Sequence, residues 1–472
     1  MSISVKARNA EFGFFGGCHG KVVMLISLAM IVKNEGDALA RCLESVKSLV
    51  DEMIIVDTGS TDGTIDIAKS FGAQVRRYKW RDDFAAARNE SLNYCNGDWV
   101  LILDADEAID RLDHEKIKNA CLRPFADAYE VTNRNYMYTS TVRSHDIGSV
   151  ANKPDGLKKS DKPIYSEGKE LPFYADMAGS LRLAKIFNGL AFSERIHETL
   201  GKSLVAYGKI IKPLDVVIHH YGNLYKERLE RKAPYYLELA RLEADENPAD
   251  VMAQFNLLQQ ALVAKQWDVA LKTARTSLKL TSSVHPLVYY GAGVALQQLG
   301  RHGEAIEYFD VLLGKDPDHI LAILAKGVSK EALGDVDAGR GLIMKAMEKQ
   351  PDYLPARASL AELELRLKNF NAARKITLDA MKISPKEPAI YNLLVKIELA
   401  RNNQGQAARD AMFGLRNCPS GGEGLWHRLA AVYLIQSGDR LAAGDILGLG
   451  LKAFPHDPNL ARLKGMINTD IS

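Results

Sequence analysis

Cysteine is scarce and unpatterned. The chain holds five in 472 residues, at Cys18, Cys42, Cys95, Cys121 and Cys418. No two form a C-x-x-C pair, which excludes a zinc ribbon and a redox dithiol. A sparse, odd-numbered set suits a reducing, cytoplasmic setting. Cys42 and Cys95 are expected inside helices as small apolar residues. Charge of one sign is also lacking, since the formal net charge is +2. That argues against a nucleic-acid partner, and the local basic run Arg76, Arg77, Lys79 and Arg81 reads as solvated surface. Long apolar runs are absent too. "VVMLISLAMIV" over residues 22–32 is about half the length that crosses a bilayer, so no integral membrane segment is expected. It runs into "KNEG" rather than small residues, which fits a central strand better than a signal-peptide core. Missing as well are G-x-x-x-x-G-K-[ST] and G-x-G-x-x-G, which excludes an ATPase P-loop and a dinucleotide fingerprint. "VKNEG" lacks the glycine-rich basic loop that a nucleotidylyltransferase needs after its first strand.

What is present falls into two halves with different periods. Residues 1–23 show neither a helical nor a strand period and are expected to be a poorly ordered extension. From residue 24 short apolar runs alternate with amphipathic segments. Strands are predicted at 25–32, 53–56, 73–80 and 99–103, and helices at 36–50, 63–72 and 82–97, the last capped by Asp82 or Asp83. Such alternation gives a parallel sheet with helices on both faces, and such sheets bind ligands beyond the carboxyl ends of their strands. Polar residues gather at those ends: Lys33-Asn34-Glu35 after the first strand, Asp57 to Thr64 after the second, and Asp104-Ala105-Asp106-Glu107 after the fourth. Carboxylates this close repel by about 1 kcal/mol at 4 Å even in bulk water. They splay into solvent as a loop, or a cation sits between them.

From about residue 240 the strand pattern vanishes. Prolines recur every 34 residues at Pro317, Pro351, Pro385 and Pro419, and small residues keep step at Ala305, Gly339, Ala373 and Ala407. A 34-residue period is the length of a tetratricopeptide repeat, two helices per unit. About six repeats are expected over 240–472, with the segment near 455–472 as a cap. Arrays of this kind form extended concave surfaces. A peptide groove and a scaffold or dimerisation arm stay equally open.

Four stretches in order, "ISLAMIVKNEGDALARCLESV", "DEMIIVDTGSTDGTIDIAKSFGAQV", "WRDDFAAARNESL" and "GDWVLILDADE", together resemble family-2 glycosyltransferases of the GT-A fold. More narrowly, they resemble bacterial members with tetratricopeptide repeats behind the transferase domain, related to the sublancin-type S-glycosyltransferases. The resemblance is strong over 25–110, moderate over 180–225 and architectural over the repeats. It implies an α/β GT-A domain over 24–230, with a parallel-rich, Rossmann-like sheet, followed by an all-α solenoid. Asp57 matches the aspartate that recognises the uracil ring of a UDP-sugar, and Asn34 and Glu35 match residues lining the nucleotide pocket. Asp104 and Asp106 match the D-x-D pair that binds Mn²⁺ or Mg²⁺ under the donor's diphosphate. Arg88 and Asn89 match a helix bordering that pocket, with a solvated helix charge as the alternative for Arg88.

Within "SLRLAKIFNGLAFSERIHETL", Glu198 is the first choice for the base of an inverting transferase and His197 the second; Lys185 stands where an arginine is commoner. His219 or His220, after an apolar strand, is a candidate to complete the metal shell or meet a phosphate. Residues 139–180 form a polar insertion longer than compact members carry, and a flap over the acceptor site is expected there. The function implied is transfer of a sugar from a UDP-sugar to a protein or peptide acceptor presented by the repeats. A saccharide or lipopolysaccharide-core transferase with repeats for assembly, and an adaptor with an inactive transferase domain, are the alternatives.

Overall fold

The structure is a computed structural model that describes residues 24–137, 157–159, 165–166, 169–170, 173–222, 226–418 and 424–469. The expected extension over 1–23 and most of the insertion over 139–180, with its expected flap, lie outside the described residues. The first strand, β1 (Ile26–Val32), is buried along almost its whole length. Ile26, Leu28, Met30 and Val32 pack on one side with Leu39, Leu43 and Val46. Ala29 packs on the other side with Ala85 and Val100. A strand covered on both faces needs no polar alternation, which is why its sequence is a continuous apolar run.

Strands β2 (Glu52–Asp57), β3 (Gln74–Arg77) and β4 (Trp99–Ile102) join it through helices α1 (Gly36–Val46), α2 (Thr64–Ser70) and α3 (Phe84–Leu92). Pairing is parallel throughout the set β3-β2-β1-β4. Helix α3 is capped by Asp83, whose carboxylate accepts from the Ala86 amide at 2.8 Å. Cys42 is buried in α1, whereas Cys95 lies just past the end of α3 and not inside it. The expected parallel sheet gives way beyond β4. After β5 (Glu107–Ile109) and α4 (His114–Leu122) come β6 (Ala128–Met137), β7 (Leu157–Lys159) and the small pair β8 (Tyr165–Ser166) and β9 (Lys169–Glu170). Strand β10 (Phe173–Lys185), helix α5 (Gly201–Ala206) and β11 (Ile211–His220) come next. The sheet order is β3-β2-β1-β4-β10-β6-β11-β5, with β10 antiparallel to β4 and β6, and β11 parallel to β6 and antiparallel to β5. The result is the expected α/β domain with a parallel-rich sheet on one side and a mixed one on the other.

From Lys226 onward the described residues form only helices. After the long helix Lys226–Glu246 come six antiparallel pairs between Val251 and Ala453, then a single helix, Pro458–Thr469. First helices begin at Pro286, Ile320, Leu354 and Pro388, and second helices at His302, Val336, Phe370 and Gln404. The turns inside these pairs place Gly300, Gly334, Lys368 and Asn402 at positive φ. Glycine meets this at no steric cost, while Lys368 is held at φ 60°. Lys368→Gly is therefore expected to stabilise the array by about 0.5–1 kcal/mol, measured as a higher thermal transition. Among the described residues no helix is long and apolar enough to cross a membrane.

The two parts are knitted together. Phe84 at the start of α3 stacks on Tyr236 with ring centroids 5.7 Å apart, and the Trp80 indole N–H donates to Tyr235 Oη at 2.5 Å. Ile196 is buried in the same apolar cluster as Leu237, Ala240, Leu257 and Leu258 of the repeat helices.

Candidate active site

Parallel pairing of β1, β2 and β4 brings their carboxyl ends to one edge. Asn34 follows β1 in the left-handed region, at φ 55°. Its amide donates to Ser60 Oγ at 3.0 Å, and its Oδ1 accepts from the Thr61 amide at 2.8 Å. The Glu35 amide donates to Thr64 Oγ1 at 2.8 Å. Asp57 ends β2 and is only 3% exposed. Its carboxylate accepts from the Gly59 amide at 3.2 Å and the Ser60 amide at 3.1 Å. Asn34, Asp57 and the 58–64 loop are thus one hydrogen-bonded unit at the sheet edge. The basic run Arg76, Arg77, Lys79 and Arg81 is exposed, the solvated surface expected.

The acids after β4 are held by arginines. Arg88, buried in α3, donates through Nη2 to Asp104 Oδ1 and through Nε to Glu198 Oε1, both at 2.5 Å. A solvated charge is thereby excluded for Arg88. Arg182 on β10 lies 2.6 Å from Glu107 Oε1 and 3.7 Å from Asp104 Oδ2. Glu107 is 1% exposed and accepts from the Asp104 amide at 2.8 Å. It therefore shapes the turn that presents Asp104 from below. Burial would raise the Asp104 carboxyl, but Arg88 and then Arg182 outweigh it and hold the group well below the ordinary carboxylate range. Glu107 goes the other way: burial, opposed by Arg182 and reinforced by Asp104, pushes it up to about 7.

The far strands complete the edge. Antiparallel pairing of β11 with β5 sets His220 opposite Glu107 and His219 opposite Ala108. The period of two then sends the histidines to opposite faces. His220 Nε2 stands 3.7 Å from Asp106 Oδ1, and its Nδ1 lies 2.6 Å from Asn135 Oδ1 on β6. His219 Nδ1 lies 2.6 Å from Tyr136 Oη and its ring stacks on Tyr136. Burial would depress His220, but Asp106, Glu107 and Asp104 overcome it and push the ring up to about 9. Burial lowers His219, and Arg134 lowers it further. Gly222 is tied to this geometry, since a Cβ there would stand 2.7 Å from His220 Nε2 and press on Asp106.

Glu198 and His197 are adjacent but face different partners. Glu198 reaches Arg88, while His197 Nε2 accepts from Gln260 Nε2 of the repeats at 3.0 Å. Burial lowers His197, with Glu198 opposing. Among the described residues no three Cys, His, Asp or Glu side chains are already gathered closely enough to hold a metal ion, and Asp104 faces Arg88 and Arg182. Sequence reasoning placed neither Arg182 nor Asn135 in the site. Arg182 shares a stretch with Glu198, but Asn135 carries no local signal; only strand register puts it beside His220.

Residues 27–174 match the family model Glycosyl transferase family 2, and residues 255–320 and 331–397 match tetratricopeptide repeat models. A TPR repeat-containing protein of Synechococcus elongatus is 39% identical over 136 residues, 29% of this chain and 34% of that protein. An uncharacterized glycosyltransferase of Rickettsia prowazekii is 44% identical over 84 residues, 18% of this chain and 28% of that protein. The SPbeta prophage-derived glycosyltransferase SunS of Bacillus subtilis is 36% identical over 94 residues, 20% of this chain and 22% of that protein. The chain thus spans about a third or less of the length of these relatives. The transferase match takes in Asp57, Arg88, Asp104 and Asp106 but stops before Arg182, Glu198 and His220.

Proposed function

We propose that this chain, which joins a family-2 glycosyltransferase domain to tetratricopeptide repeats, moves a sugar from a UDP-sugar to a polypeptide acceptor with inversion, in the cytoplasm and with the help of a divalent cation. The observation that carries the reading is the β11–β5 pairing. It sets His220 beside Asp106 at the strand end where Asp104 also lies, on the edge that holds Asn34 and Asp57.

The donors fit a divalent cation in kind. Two carboxylates and one imidazole suit Mn²⁺ or Mg²⁺. His220 is already oriented through Nδ1 by Asn135, the outer support that a ligating histidine needs. The raised proton affinity of its ring reflects surroundings that favour positive charge. Asp104, Asp106 and His220 would hold the ion, which offsets charge on the departing diphosphate when bound.

The chain's own residues supply the rest. Asn34, Glu35, Asp57 and the 58–64 loop border the nucleoside. The Asp57 oxygens keep lone pairs beyond the two backbone donors they serve, which suits the N–H of a uracil ring. Arg182 and Arg88 bring positive charge to the same point. Glu198 is the better placed general base. His197 already spends its Nε2 lone pair on Gln260, whereas among the described residues Glu198 commits Oε1 alone, to Arg88. The repeats recruit the polypeptide. Intact-mass analysis of captured polypeptides after incubation with UDP-sugars tests the reading. A gain of one sugar residue per modified chain supports it. Modification of saccharides alone favours the assembly role for the repeats, and no product from any donor favours an adaptor.

A further inference from the structure

Residues 193–199 are gripped from two sides. Reciprocal backbone bonds of 3.0 and 3.1 Å between Ser193 and Thr199 close the segment into a tight loop. Inside it Glu194 stands at φ 66° and His197 at φ 55°. Left-handed backbone costs a non-glycine residue about 1–2 kcal/mol, so two such residues in one short loop need surroundings that impose the shape.

Those surroundings are the first helices of the repeat part. The Arg195 amide donates to Glu243, and the Arg195 guanidinium pairs with Glu246 at 2.6 Å. Ile196 is 1% exposed within the apolar core of the repeats, and Asn256 donates to its carbonyl. Gln260 bonds the His197 ring, and Lys202 bridges Glu194 and Asp250 at 2.8 and 2.9 Å. Each residue from Glu194 to His197 is therefore tied, directly or through Lys202, to the 226–263 segment.

The opposite side of the loop holds α3. The Phe84 amide donates to the Arg195 carbonyl at 3.0 Å, and Asn89 exchanges two hydrogen bonds with the Phe192 backbone, at 2.7 and 3.0 Å. Glu198 then meets Arg88, and Arg88 meets Asp104. An unbroken chain of packed and bonded groups runs from the first repeat helices to the acids of the sheet edge.

We propose that the 193–199 loop couples the repeat array to the transfer site, with Ile196 and Gln260 as positioning residues that fix where Glu198 stands. This rests on the reading of that edge as a sugar-transfer site. Neither residue touches the acids, so each acts only through the loop. Seating of the loop governs how well Glu198 and Arg88 are aligned, and leaves the nucleoside-binding unit of Asn34 and Asp57 untouched.

The test uses the full chain with Gln260→Ala, Ile196→Ala and Ile196→Val. Couplings of this kind are worth a roughly two- to thirtyfold change in rate. Gln260→Ala and Ile196→Ala are each expected to lower kcat for UDP-sugar turnover within that range, with KM for the donor unchanged. Ile196→Val is expected to recover most of the loss. Gln260 is half-buried, so its variant retains the wild-type thermal transition. Hydrogen exchange supplies a readout that needs no turnover: the Phe84 and Thr199 amides, bonded at and across the loop, must exchange faster in both alanine variants. Unchanged exchange at these amides overturns the coupling even if the wild type proves to turn over no sugar donor. Unchanged kcat in a turning-over enzyme overturns it equally. A parallel rise in KM without loss of kcat contradicts the assigned role too.

Discussion

Asp106→Asn is expected to lower sugar-donor turnover by roughly three orders of magnitude while leaving the fold intact, several kcal/mol being the usual worth of charge stabilisation by a bound metal. The variant keeps the shape of the side chain and removes its charge. Among the described residues Asp106 pairs with His220, at 3.7 Å, and His220 retains Glu107 nearby as a compensating acid. The stability cost is therefore about 1–2 kcal/mol, smaller than the loss expected on removing Arg88. Initial rates of UDP release set against the thermal transition separate the two effects. Asp104 is a worse probe than its partner in the motif. Its loss also strips an ion-pair partner from buried Arg88, so turnover and stability fall together.

Arg88→Ala has the second large effect, and it falls on stability. The guanidinium is 6% exposed and joins two carboxylates at 2.5 Å each. Removing it takes the ion-pair partner from Glu198 and leaves Asp104 with the looser contact to Arg182 at 3.7 Å. Breaking a buried pair from one side costs about 3–5 kcal/mol. Asp104 is 38% exposed, so solvent screens part of the loss and the lower end applies. At about 2–4 °C per kcal/mol for a domain of this size, the transferase transition is expected to drop by roughly 6–12 °C in a melting scan. Arg88→Lys is expected to recover less than half, because an ammonium is a point charge and cannot span both acids as the planar fork does.

The two large effects track what could be read from the sequence. The first strands and their helices were legible because a strand covered on both faces reads as an apolar run, as β1 does. The repeats were legible because a 34-residue step recurs in the starts of their helices. Asp104 and Asp106 stood out as charges at a strand end. Arg88 was ambiguous, because nothing local distinguishes a buried arginine from a solvated one. Its burial comes from Asp104 and Glu198, partners 16 and 110 residues away. The choice between His219 and His220 was hidden in strand register. One residue of slip in β11 would exchange their faces, and only the pairing with β5 and β6 fixes it. Arg182 and Asn135 belong to the same class, delivered by β10 and β6 from the mixed part of the sheet. The departure from a wholly parallel sheet was invisible for a related reason. Regular alternation of strand and helix stops after β4, and the direction of each later strand depends on which edge it finds.

The central claim is that the edge formed by Asn34, Asp57, Asp104, Asp106 and His220 is a cation-dependent nucleotide-sugar site. The measurement that tests it most directly is release of UDP from a panel of UDP-sugars by the full chain, with Mn²⁺ or Mg²⁺ and then with the ion removed by chelation. Turnover of at least one donor is expected with the metal, lost on chelation, restored by adding the ion back, and absent throughout in Asp106→Asn. Turnover that survives chelation and persists in Asp106→Asn would contradict the account.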